Sequence, residues 1–131
     1  MTTRIIFHYL YCKYLLIYLR WHITLLVQHF IDRKARQLAY YMRSYWQNEL
    51  PYAELECFLW DTFEEWSQVK NQKTQPYSHK ERIFWHVLHQ THYWEEPRLR
   101  YDECIKTQLS MCISFLEGQG LCPLDVVGIR P

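Results

Sequence analysis

The chain has 131 residues, 49% of them hydrophobic and 18% aromatic, with a formal net charge of +1. That length suits one domain able to bury about two-thirds of its extended surface. The near-neutral balance excludes a strongly acidic nucleic-acid mimic and a polybasic tail. All three glycines lie at or after Gly118, which excludes a glycine-rich phosphate loop.

Residues 1–50 contain neither glycine nor proline, so nothing in them obliges a helix to end. One helix over that stretch would run about 70 Å, against roughly 30 Å for each later segment between breakers. Its surplus length is apolar, with Ile5, Ile6, Phe7, Leu10, Leu15, Leu16, Ile17 and Leu19. Such an overhang must bend back, dimerise, or meet a partner or a membrane surface. Tyr9, Tyr11, Tyr14, Tyr18 and Trp21 add an aromatic series suited to a wet interface. Lys13 and Arg20 interrupt the apolar run, and no small-residue cleavage site follows, so neither a transmembrane span nor a cleaved leader is expected.

From Ile23 to Trp46 the apolar residues recur at threes and fours, including Val27, Phe30, Ile31, Leu38, Met42 and Tyr45. Leu15 to Leu19 instead covers all faces of a helix, so any kink is placed near Trp21 to Thr24, where the pattern changes. Pro51 ends the first helix and suits the first turn of a second, spanning about Tyr52 to Val69 with Leu55, Phe58, Leu59, Phe63 and Trp66 inward. Lys70 to Tyr77 reads as the longest loop. Ser78 and Glu81 form a capping box for a third helix that runs to Glu95 or Glu96, with Phe84, Val87, Leu88 and Thr91 inward and Trp85 and Trp94 off that face. A fourth helix begins between Pro97 and Asp102, uses Leu99, Ile105, Leu109, Cys112 and Leu116, and stops at Gly118 and Gly120. Residues 121–131 are apolar yet broken by Pro123, Gly128 and Pro131, which predicts a non-helical tail docked in a groove. The expected fold is therefore all-α: a single four-helix bundle-like domain over residues 1–131, with residues 1–20 overhanging or flexible.

Charge is uneven along the chain. Residues 1–50 carry seven Lys and Arg against Asp32 and Glu49, whereas residues 51–75 hold Glu54, Glu56, Asp61, Glu64 and Glu65 against Lys70 and Lys73. A basic first helix beside an acidic second one accounts for both signs. The same first helix carries Arg33, Arg36, Tyr40 and Arg43 along one side, and basic residues interleaved with an aromatic hold phosphates and stack bases. That stripe is a nucleic-acid candidate, without a helix-turn-helix glycine or zinc finger to support it.

The third helix presents His86, His89 and His92 at three-residue spacing, so neighbouring rings could supply two or three metal ligands. The spacing lacks the four-apart histidine pair and intervening glutamate of zinc proteases. Cys122-Pro123 reads as a tail turn in preference to a haem thiolate ligand. Five cysteines without close pairing suit reduced thiols in the cytoplasm. Adjacent Glu64 and Glu65, or Glu95 and Glu96, diverge by about 100° on a helix and make no carboxylate dyad. The expectation is a non-enzymatic interaction module with no cofactor and no small-molecule substrate, whose partner is another protein or a second copy. Nucleic-acid binding through the arginine stripe is the alternative, and a histidine-rich metal protein the third reading.

Overall fold

The computed structural model describes the backbone of residues 2–131, and the side chains of residues 11, 13–15 and 26–131. Five α-helices follow one another: α1 Thr2–Trp46, α2 Tyr52–Ser67, α3 His79–Tyr93, α4 Glu96–Tyr101 and α5 Glu103–Leu116. A 3-10 turn, Gln72–Thr74, lies between α2 and α3. No strand occurs among the described residues, so the all-α expectation holds.

The 45 residues of α1 correspond to about 67 Å of helix. The helix is continuous through Trp21 to Thr24, where a kink was expected, and the side chains of those residues lie outside the described set. Among the described side chains, its contribution to the core begins at Val27. It continues through Phe30, Ile31, Ala35, Leu38, Ala39, Met42 and Tyr45 at the spacing of one helical face.

α1 and α3 pack on each other, and each also contacts α2 and α5. The centre of this arrangement is aromatic. Trp66 of α2 meets Trp85 of α3 at 4.8 Å between ring centroids, and Phe30 of α1 lies 5.4 Å from Trp66. Trp85 is fully buried, contrary to the expectation that it would sit off the inward face. With helices on several sides, α3 buries the consecutive residues Ile83, Phe84 and Trp85, more than one apolar stripe accounts for. Buried Thr62 and Thr91 satisfy their hydroxyls by donating to the carbonyls of Phe58 and Val87 four residues back.

Two local expectations changed. The single fourth helix is divided at Asp102, whose backbone is extended (φ −74°, ψ 112°) and whose carboxylate accepts from Ile105 N at 3.2 Å to cap α5. The third helix ends at Tyr93 rather than at Glu95 or Glu96. The capping box is half realised: Ser78 Oγ accepts from Glu81 N at 3.1 Å, while the Glu81 carboxylate turns into the protein.

Residues 117–131 leave α5 through Gly118 (φ 83°) and Gly120 (φ 79°), left-handed positions that favour glycine. The tail docks, but of its apolar side chains only Val126 packs, half-buried, against the core. Leu121, Leu124, Val127 and Ile129 remain 65–90% exposed, whereas Gly128 is buried and Arg130 reaches inward.

Candidate interaction surfaces

Tyr11, Tyr14 and Leu15 occupy positions i, i+3 and i+4 of α1 and therefore share one face. They are 66%, 71% and 44% exposed, with exposed Lys13 beside them. The side chains of Tyr9, Tyr18 and Trp21 lie outside the described residues. No helix among the described residues is long and apolar enough to cross a membrane.

The arginine stripe is partly committed within the chain. Arg33 Nη2 meets Glu65 Oε2 at 3.1 Å. Arg43 donates to Glu117 at 2.7 Å and to Ser114 at 3.0 Å, beside α5. Arg36 and Tyr40 are exposed, and Arg36 has no ion pair among the described residues. An open cavity of about 510 Å³ lies beside Arg36, lined also by Leu26, His29, Phe30, Asp32, Arg33 and Val69, and Tyr40 lies outside it. The acidic residues Glu65 and Glu117 thus interrupt the positive face.

The three α3 histidines enter three different environments. His86 Nε2 is buried with no hydrogen-bond partner, and burial together with neighbouring His89 holds its pKa below the ordinary 6.5. His89 Nε2 is 2.8 Å from the carbonyl oxygen of Ile129. His92 packs edge-on against Trp60, with ring centroids 5.1 Å apart. Among the described residues no group of three or more His, Cys, Asp or Glu side chains is placed to hold a metal ion.

The most completely built polar site joins the tail to α3. Arg130 donates from Nη2 to Glu81 Oε1 at 2.8 Å and from Nε to Glu81 Oε2 at 2.5 Å. Nη1 donates to the carbonyls of Gln72 and Gln75, and Nη2 also reaches that of Pro76 at 3.2 Å. The guanidinium stands over the Tyr77 ring, 4.0 Å from its centroid, and hydrogen bonding to Glu81 raises its pKa further. Trp85 Nε1 donates to the same Glu81 carboxylate at 2.9 Å, and the Glu81 side chain is only 1% exposed. Sequence reasoning missed this site, because Glu81 read as a capping residue and Arg130 as one charge in an apolar tail. Their separation of 49 positions leaves no local pattern to detect.

Comparison of the chain with protein-family models, curated proteins and solved structures gave no match. Function therefore rests on the arrangement of these surfaces alone.

Proposed function

We propose that this protein is a non-enzymatic protein–protein interaction module that presents the aromatic face of the first half of α1 to another protein or to a second copy. The observation that carries the reading is the exposure of Tyr11, Tyr14 and Leu15 together on one face, ahead of Val27, the first core residue of α1 among the described side chains. Large amphipathic rings that stay in solvent on a rigid helix suit partner burial at low entropic cost. The exposed thiols of Cys57, Cys104 and Cys122 fit a reducing compartment such as the cytoplasm.

The test uses the purified full chain with a photo-crosslinking residue at position 14, and the same residue at exposed Tyr93 as a control. Self-association by light scattering, or a crosslinked adduct from position 14 and not from position 93, is the expected result. A strictly monomeric chain that binds no apolar dye and crosslinks to nothing through position 14 overturns it.

The nucleic-acid reading keeps one specific support, exposed Arg36 at the His29 and Arg33 cavity with exposed Tyr40 one helical turn further on. Salt-sensitive retention of RNA or DNA that is lost in Arg36→Ala favours it, and retention that survives this change removes the stripe as the cause.

A further inference from the structure

The Arg130 receptacle has the properties of a ligand site rather than of an ordinary tail contact. Its walls come from the α2–α3 loop and the first turns of α3, and two of the contacts that shape them do not involve the tail. Ser78 caps the helix, and the buried Gln75 side chain bridges Lys70 O at 3.4 Å and Val27 N at 3.2 Å. What those walls present is a buried carboxylate and three backbone carbonyls, all acceptors, facing an aromatic ring. Empty, they would leave Glu81 with Trp85 Nε1 as its remaining donor, and a buried carboxylate so placed demands a cation. A planar guanidinium uses every one of these acceptors, which a compact ammonium cannot do.

Two further contacts extend recognition along the backbone. Tyr77 Oη accepts from Arg130 N at 2.9 Å, and His89 meets Ile129 O at 2.8 Å. At position 128 a Cβ would stand 1.9 Å from Arg82 O and 2.6 Å from His86 N, so only glycine fits against the α3 backbone there. Ile129 between them is 65% exposed, so its side chain is not read. Upstream, Leu121, Leu124 and Val127 stay in solvent and half-buried Val126 packs on the core, so the polar anchoring of the tail lies at residues 128–130.

We propose that the crevice between the α2–α3 loop and α3 is a receptor site for a polypeptide segment of Gly-x-Arg sequence, filled here by residues 128–130 and open to a competing segment of another protein. This site is separate from the α1 surface and does not depend on it.

The experiment takes the full-length Arg130→Ala chain and titrates it with a synthetic peptide of residues 125–131, followed by tryptophan fluorescence and by the NMR signal of the Trp85 indole N–H. Saturable binding with a shift of that signal is expected. The wild-type chain, whose own tail competes, should bind the peptide about tenfold more weakly or worse. Peptides carrying R130K or G128A should each lose about tenfold or more, through the lost guanidinium fork and the Cβ collision respectively. A folded Arg130→Ala chain that takes up no peptide, or takes all three peptides equally, overturns the proposal. Should circular dichroism show Arg130→Ala to be unfolded, the full-length Arg130→Lys chain enters the same titration. Unfolding of both would make the tail an inseparable part of the core and would equally overturn the receptor reading.

Discussion

Lys34 Nζ lies 2.9 Å from Glu65 Oε1, tying the basic side of α1 to the acidic side of α2. The Lys34 side chain is 6% exposed and sits over the Phe58 ring, whereas Glu65 is 45% exposed and also takes Arg33. Among the described residues, Glu65 is the one acidic residue of α2 that pairs with the basic side of α1, where it takes both Arg33 and Lys34.

Removing the Glu65 charge leaves a buried ammonium facing an amide. With the discount for solvent around Glu65, Glu65→Gln should cost about 1–2 kcal/mol by urea unfolding. Glu64→Gln, on the exposed side of the same helix, should change stability by no more than about 0.5 kcal/mol. Equal costs at the two positions would show that Lys34 does not need its partner.

Asp102 closes α4 with its backbone N–H, which donates to Arg98 O, and caps α5 with its carboxylate. Asp102→Ala should therefore destabilise the chain by about 1 kcal/mol, the usual loss for an N-cap side chain. An unchanged urea midpoint would mean that Pro97 and the packing of Leu99 set the corner by themselves.

The cysteines should separate sharply in reactivity. Cys112 is fully buried, and that burial, with a smaller contribution from Cys122, pushes its thiol up to about 11. Alkylation of the native chain at pH 8 should modify exposed Cys57, Cys104 and Cys122 and leave Cys112 untouched until denaturant is added, since the thiolate is the nucleophile. Peptide mapping before and after unfolding reads the difference, and prompt native labelling of Cys112 would contradict its placement.

The placement of His86 should make the fold more acid-sensitive. Its ring is kept neutral by burial, so the unfolded chain binds more protons than the native one between the depressed native pKa and 6.5. This contribution is complete above pH 6.5 and is lost as the pH falls below it, with a slope of at most about 1.4 kcal/mol per pH unit. His86→Gln should flatten the stability profile in that window. A wild-type profile identical to that of the variant between pH 5 and pH 7 would assign the slope to other groups.

Helix punctuation was legible in the chain itself. Pro51, the Ser78 cap, Pro97 and Gly118 each act on the backbone within a few residues, so sequence alone determined that the protein is helical, that its first helix is far longer than the others, and roughly where each later helix starts. Local backbone chemistry cannot say which faces meet. Packing among α1, α2 and α5 decided that Trp85 would be buried, and the turn at Asp102 decided that one expected helix would become two. The tertiary structure also sent His86, His89 and His92 to separate surroundings and carried Arg130 onto Glu81. Those outcomes depend on contacts between residues tens of positions apart, whose energies are realised only once the helices have taken their places.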